Sequence, residues 1–310
     1  MEPPAGCRLD RALHEAVVLL TAVVVNWNGG ADTAAALESL RGIDTICVDN
    51  GSTDGSDLAV ENGFPEVELI RAGANLGFAG GNNVGLRRAI ERGADCVLLL
   101  NNDAVAAPGV AAALERALTL RPDAGLLACK VFLEDGVTLQ YAGASFRAWL
   151  GYSGRARGYG EPDTFGMLEP TGRADGAAMA VTRAAAERAG LLDETLFAYV
   201  EDVDWSLRIS RAGFTVLFVP DATVRHKGSA STGGAASNTS LYYSTRNTIV
   251  VCERYRPLPP GLRAARRLAV VAAHLAQTIV TARRAEALRA VLAGWRDARA
   301  GRLGPRPATS

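Results

Sequence analysis

Cys96-Val-Leu-Leu-Leu-Asn-Asn-Asp103 is the stretch whose reading decides the fold. Five apolar residues are followed at once by three polar ones, the pattern of a strand buried on both faces that stops at a loop. Such a strand needs cover above and below, which is the condition of a sheet inside an α/β protein. Working outward, residues 16–26 form a β-branched run that ends in Trp27-Asn-Gly-Gly30. Residues 43–50 read as a second strand, closed by the turn-rich Gly51-Ser-Thr-Asp-Gly55. Further strands are predicted over 67–70, 125–132, 175–181 and 214–219, the last followed by Val224-Arg-His226. Helices are predicted over 33–40, 77–93, 110–120 and 184–189, and from the acidic stretch at 201 to residue 212. Strands alternating with helices at this spacing mean α/β units.

In open α/β sheets, ligands bind outside the carboxyl ends of the strands. Polar residues gather there three times: Asn26-Trp-Asn28, Asp49-Asn-Gly-Ser52 and Asn101-Asn-Asp103. One such strand end is a turn; three of them make a shared pocket the expectation. Gly77-Phe-Ala-Gly-Gly-Asn82 adds a glycine loop that runs into a helix, where backbone amides can approach phosphate. It does not match the dinucleotide fingerprint G-x-G-x-x-G.

The chain has 310 residues, 48% hydrophobic and 21% charged, enough for one large domain or one domain with an appendage. Lys+Arg and Asp+Glu both total 33, so no nucleic-acid partner is expected. Charge is uneven along the chain, with a basic tail from Arg254 onward in which only Glu286 and Asp297 are acidic. The five cysteines are widely spaced and form no CxxC or Cys/His cluster, so neither a zinc site nor a disulfide framework is indicated, and a reducing cytoplasm fits best. Cys47 and Cys96 are expected to be core thiols. The N-terminus lacks a basic start with a following apolar stretch, so no signal peptide is expected. The apolar run over 16–25 is too short for a membrane span.

Phe197-Ala-Tyr-Val-Glu-Asp-Val-Asp-Trp-Ser-Leu-Arg208 carries two compatible readings. Glu201, Asp202 and Asp204 suit a helix start, where the dipole favours acids. Crowded among Tyr199, Val200, Val203 and Trp205, they also repel one another, and a raised pKa is expected for at least one. Asn101-Asn-Asp103 reads either as a turn or as an oxygen donor for a divalent cation. Asp49 can accept from a base or close a turn on Ser52. A lone histidine such as His226 is structural or a ligand.

The order of these motifs resembles the family-2 glycosyltransferases of GT-A fold, closest to the rhamnosyltransferase-like branch. The resemblance rests on Val23-Val-Val-Asn-Trp-Asn-Gly29, Val48-Asp-Asn-Gly-Ser-Thr-Asp54, Asn75-Leu-Gly-Phe-Ala-Gly-Gly-Asn-Asn83, Leu99-Leu-Asn-Asn-Asp103 and Glu201-Asp-Val-Asp204, and covers about residues 18–255. It implies a Rossmann-like mixed sheet with helices on both faces. It also implies an inverting, metal-dependent transferase that takes its sugar from a nucleoside-diphosphate (NDP) sugar such as dTDP-L-rhamnose. The acceptor hydroxyl is then on a glycan, a lipid-linked substrate or a small-molecule natural product. By the same resemblance, Asp202 matches the catalytic base, with Glu201 and Asp204 in support. Asn26, Asn28, Asp49, Ser52, Asn75, Gly77, Gly80, Asn82, Asn102 and Asp103 fall in the nucleotide-sugar site. Asp103, Asn101 and His226 fall at the Mg²⁺ or Mn²⁺ site. Asn101 stands where the family's metal motif has its first acid. Tyr242-Tyr-Ser-Thr-Arg-Asn247 resembles the segment that closes the catalytic domain.

The expected layout is an N-terminal extension over 1–15, a catalytic domain over 16–255, a basic helical tail over 256–300 and disorder over 301–310. The tail reads as a basic amphipathic helix on lipid, as an appendage on the catalytic domain, or as a homodimer contact. A sugar nucleotidyltransferase would want basic residues in the loop after the first strand, and Asn26-Trp-Asn-Gly-Gly30 has none. A non-catalytic nucleotide-sugar-binding protein would not need the acids.

Overall fold

The apolar runs become strands of one mixed sheet in a computed structural model that describes residues 18–146, 156–228, 237–278 and 284–306. The expected extension over 1–15 and residues 147–155 and 307–310 lie outside these. In chain order the strands are β1 (Leu20–Asn26), β2 (Asp44–Asp49), β3 (Glu68–Arg71), β4 (Cys96–Asn101), β5 (Ala104–Ala106), β6 (Ala124–Leu133), β7 (Leu139–Tyr141), β8 (Glu169–Pro170), β9 (Ala178–Thr182) and β10 (Thr215–His226). They lie side by side as β3-β2-β1-β4-β9-β6-β10-β5, with β7 on β6 and β8 on β10. The β3-β2-β1-β4 half is parallel, and β9 enters antiparallel between β4 and β6.

Alternation along the strands sends successive side chains to opposite faces. Val23, Ile46, Val48 and Leu99 join one core, covered by α3 (Gly77–Glu91), α5 (Arg183–Ala189) and α6 (Glu201–Arg211) through Leu86, Ala185 and Trp205. Val24, Cys47, Leu98 and Leu100 join the other, under α1 (Gly30–Ser39), α2 (Ser56–Gly63) and α4 (Val110–Leu120). Each fully buried aliphatic side chain contributes about 1.5–3 kcal/mol, so a charge at Leu98 would break the sheet's centre. Cys47 and Cys96 are buried as expected, and burial pushes both thiols up to about 12.

Two details of the sheet matter for the site. The expected strand over 214–219 and the Val224-Arg-His226 segment are one strand, β10, whose register against β6 shifts between Val219 and Thr223. Pro220 lies in that irregular stretch, where its missing N–H is tolerated. The end of β10 then pairs antiparallel with β5, His226 opposite Ala104. Helix α2 follows the 51–55 turn, where no helix is predicted. Its N-cap, Gly55, has a left-handed φ of 80°.

The tail holds two helices, α8 (Pro260–Thr278) and α9 (Arg284–Ala300), packed on α7 (Asn238–Tyr255). Gly294 lets α9 come close, since a Cβ there would sit 2.4 Å from the Tyr242 carbonyl. The disorder expected over 301–310 is corrected for 301–306. There the Gly304 amide donates to the Thr195 carbonyl at 2.6 Å, and the Arg306 amide to the Tyr243 hydroxyl at 2.7 Å. On α8 the basic residues are partly engaged within the fold. Arg266 is buried and bonded to the Arg256 carbonyl, and Arg267 is paired with Glu253, while Leu262 and Leu268 face outward. No described helix is long and apolar enough to cross a membrane.

Candidate active site

Strands β1, β2 and β4 end at one edge, because Asn26 is in register with Asp49 and Val25 with Asn101. A cavity of about 510 Å³ opens there. Asn75, Gly77, Asn82, Asn101, Asn102, Glu201, Asp202 and His226 line it, so eight of the residues expected in the site share one space. The others have different surroundings, each for a physical reason.

Asn26 is fully buried and spends its side chain on the loops around it. Its Nδ2 donates to Asp49 Oδ1 at 3.1 Å, Ser52 Oγ at 3.0 Å and Ser56 Oγ at 2.8 Å, and its Oδ1 accepts from Thr33 Oγ1 at 2.7 Å. The expected nucleotide contact at Asn26 is therefore corrected to a hub that ties the first two strand ends together. Asp49 is held from both sides, its second oxygen accepting from the Ser52 amide at 3.2 Å. Asn28 has a φ of 52° and accepts from the Thr53 amide at 2.7 Å, fixing the rim of the same loop. Gly80 is corrected too. It is buried in α3 where a Cβ would meet the Leu76 side chain at 2.7 Å, and it packs rather than lining the cavity.

Asp103 lies in an adjoining cavity of about 200 Å³, shared with Asp32, Lys227 and His226. The pairing of β5 with β10 brings His226 Nε2 to 3.0 Å from Asp103 Oδ1, with both residues buried. His226 Nδ1 lies 2.9 Å from Gln140 Oε1. In the tautomer that donates from Nδ1 to Gln140, Nε2 turns a lone pair toward a carboxylate, an arrangement that a cation between the two relieves. No group of three or more His, Cys, Asp or Glu that could hold a metal ion by itself occurs among the described residues. The donor set thus fits a hard divalent cation that takes two ligands from the chain and completes its shell with diphosphate and water oxygens. Asn101 lines the main cavity beside this pair.

The three acids of α6 divide. Asp202 accepts from Arg173 at 3.2 Å, from the Gly176 amide at 3.3 Å and from the Val203 amide at 2.8 Å. Burial raises its pKa, against the pull of Arg173. Glu201 is buried, and its Oε2 has no hydrogen-bond partner among the described residues. Burial and the neighbouring Asp202 charge push its pKa well above the usual carboxylate range. Asp204, expected in a supporting catalytic role, is corrected. It is fully buried and accepts from Arg208 at 2.8 Å, Arg254 at 2.7 Å and the Tyr255 hydroxyl at 2.8 Å, clamping α7 to α6 away from the cavity.

Sequence reasoning missed Arg173, Asn50, Trp27 and Gln140, which all line the cavity. Asn50 carries a readable signal, since it sits inside the strand-end motif. Its side chain donates to the Gly77 carbonyl at 3.1 Å and accepts from the Leu76 amide at 2.9 Å, joining the second strand end to the glycine loop. Arg173 and Gln140 lie in the loosely patterned 133–172 region and its edge, where no periodicity marks them.

A mixed α/β sheet of this order with its site at the strand ends is the GT-A glycosyltransferase fold. A mannosyltransferase from Pyrobaculum calidifontis in complex with GDP-Man and Mn²⁺ superposes with a TM-score of 0.54 at 17% identity, over 94% of this chain and 78% of that one. S. aureus TarS in complex with UDP-GlcNAc gives 0.55 at 14% identity, over 90% and 81%. The description "Glycosyltransferase like family 2" matches residues 20–242, and the chain belongs to that family. It is thus a glycosyltransferase. Among its relatives is an N-acetylglucosaminyl-diphospho-decaprenol L-rhamnosyltransferase from Mycobacterium tuberculosis, 30% identical over 69% of this chain and 78% of the relative.

Proposed function

We propose that the chain transfers L-rhamnose from dTDP-L-rhamnose to a hydroxyl of a lipid-linked glycan, with Mg²⁺ or Mn²⁺ and with Asp202 as general base. The observation that carries this reading is the placing of Asp202 at the wall of the strand-end cavity, its carboxylate oriented by Arg173 and the Gly176 amide. The donor sugar and acceptor class follow the name of the mycobacterial relative.

Each residue's part follows from its surroundings. Asp202 takes the proton of the acceptor hydroxyl as that oxygen attacks the anomeric carbon opposite the diphosphate, which inverts the configuration in one displacement. Arg173 favours the ionised form of the Asp202 carboxylate against the effect of its burial. Gly77 and Phe78, the first residues of α3, line the cavity, so the helix's positive end meets the phosphates. Asp103 and His226 would hold the cation, which when bound offsets charge gathering on the leaving diphosphate. Glu201, unpartnered in the wall, offers a hydrogen bond to a sugar hydroxyl. The outward, uncharged face of α8 with Leu262 and Leu268 supports peripheral contact with the cytoplasmic face of a membrane.

Release of nucleoside diphosphate tests the reading. The chain is incubated with Mn²⁺ and a panel of NDP-sugars, with and without N-acetylglucosaminyl-diphospho-polyprenol. The expected result is acceptor-dependent release of dTDP from dTDP-L-rhamnose, abolished by EDTA. Synthesis of an NDP-sugar from sugar phosphate, or donor binding without release, would overturn it.

A further inference from the structure

Phe197, Tyr199 and Val200 all hold positive φ, at 66°, 65° and 71°. Side-chain-bearing residues seldom adopt this conformation, and a β-branched valine least of all. The strain lies directly before Glu201 and Asp202, and something outside the turn must hold it.

Asn247 of α7 does so. Its Nδ2 donates to the carbonyls of Leu196 at 2.9 Å, Ala198 at 2.8 Å and Tyr199 at 2.7 Å. Arg246 Nε donates to Asn247 Oδ1 at 2.8 Å, which turns the amide so that its nitrogen, not its oxygen, faces the turn. The Arg246 guanidinium itself reaches the Leu196 carbonyl at 2.9 Å and the Gly304 carbonyl at 2.6 Å, against the rings of Tyr242 and Tyr243. Both residues are buried, and neither lines the cavity. On the opposite side the Phe197 carbonyl accepts from the Ala79 amide at 3.1 Å. Gly77 allows that approach, since a Cβ there would come within 2.4 Å of the same carbonyl. The turn is thus keyed between the donor-side start of α3 and α7.

We infer that Asn247, oriented by Arg246, is a positioning residue for the transfer: it holds the 197–200 turn left-handed and so fixes the direction in which Asp202 enters the cavity. The inference rests on the proposed role of Asp202 as base.

Asn247→Ala, Val200→Gly and the double variant test it in the full chain, with dTDP-L-rhamnose, Mn²⁺ and N-acetylglucosaminyl-diphospho-polyprenol. Misplacing a catalytic group by an ångström costs about 100-fold. Asn247→Ala is therefore expected to lower kcat by about that factor while KM for dTDP-L-rhamnose moves by less than about threefold. Glycine adopts φ near 70° without steric cost, so Val200→Gly in the Asn247→Ala background is expected to recover kcat about tenfold. A merely structural Asn247 predicts loss of folded protein with unchanged kcat per folded molecule, and that result overturns the inference, as does a folded double variant without rescue. Should Asn247→Ala not fold, the double variant against Val200→Gly carries the same comparison. Hydrogen exchange at the Asp204 amide, which bonds the Val200 carbonyl at 3.0 Å, reads the turn without any substrate. Faster exchange in Asn247→Ala, slowed again by Val200→Gly, is expected, and unchanged exchange overturns the clamp. A wild-type chain that releases no dTDP fails the transferase reading instead, and the exchange comparison still decides the clamp.

Discussion

Asp202 and Asp204 are two residues apart on α6, yet one faces the cavity and the other the protein interior. Two residues of helix turn a side chain by about 200°, so the two carboxylates point to opposite sides. Asp204 has two arginines and a tyrosine hydroxyl as partners, all inside the fold, and does not line the cavity. Asp202 has one arginine and two backbone amides, and Glu201 beside it has an oxygen with none among the described residues. The contrast teaches that burial alone does not mark a catalytic acid. A carboxylate bonded between two helices away from the cavity builds the fold, and one that stands at the cavity wall is placed to act on a substrate.

The comparison breaks most readily at its structural end. Asp204→Ala leaves Arg254 and Tyr255 without their shared partner, and removing one side of a buried ion pair costs about 3 kcal/mol. Chemical denaturation should show that loss, with KM for the donor unchanged in the folded fraction; a loss of activity without a loss of stability would move Asp204 into the site. Next in size, Asp103→Ala should weaken Mn²⁺-dependent binding of dTDP-L-rhamnose about 100-fold, the scale of losing a metal ligand's support. Calorimetry with and without EDTA checks this, and binding that ignores both the metal and the substitution would count against the cation site.

Smaller effects sharpen the cavity end. Because burial raises the Asp202 pKa, the acidic limb of the pH–rate profile should lie above the usual aspartate range, with the rate rising with pH as the carboxylate forms. Arg173→Met should move that limb further up. A limb that stays put would mean Arg173 does not act on Asp202. For Glu201 the sign runs the other way in stability. Its folded pKa is raised, so the stability it lends is complete below the ordinary carboxyl range and is lost as pH rises through the folded value. Glu201→Gln should therefore match wild type in acid and exceed it by about 1 kcal/mol at neutral pH, the size of one buried unsatisfied group. A thermal-melt series from pH 4 to pH 8, with the values taken at about unit steps, would show the two curves parting; curves that stay together would mean Glu201 is ionised without penalty.

Much of the fold was legible because the strands announce themselves. β4 is apolar from Cys96 to Leu100 and stops at three polar residues, and β1 and β2 repeat the pattern, so the strand-end pocket is legible in the sequence alone. The division of α6 was also readable in principle, since helix geometry alone separates Asp202 from Asp204. Other parts were not readable. Asp103 and His226 are 123 residues apart and meet only through the pairing of β5 with β10, a short strand with no pattern of its own. Arg173 comes from a region without periodicity. Asn26 was misread because a polar residue at a strand end looks the same whether it faces ligand or the neighbouring loop. The left-handed turn before α6 is invisible in sequence, as Tyr199 and Val200 are not residues that favour positive φ.

The most direct test of Asp202 as the base is to measure turnover and donor affinity side by side in Asp202→Asn. The substitution keeps the shape and removes the proton acceptor. Turnover of dTDP-L-rhamnose should fall by about 10³-fold, within the range that general base catalysis supplies, while the dissociation constant for donor and Mn²⁺ stays within about threefold. A variant that turns over at the wild-type rate, or that loses activity only because it no longer binds the donor, would contradict it.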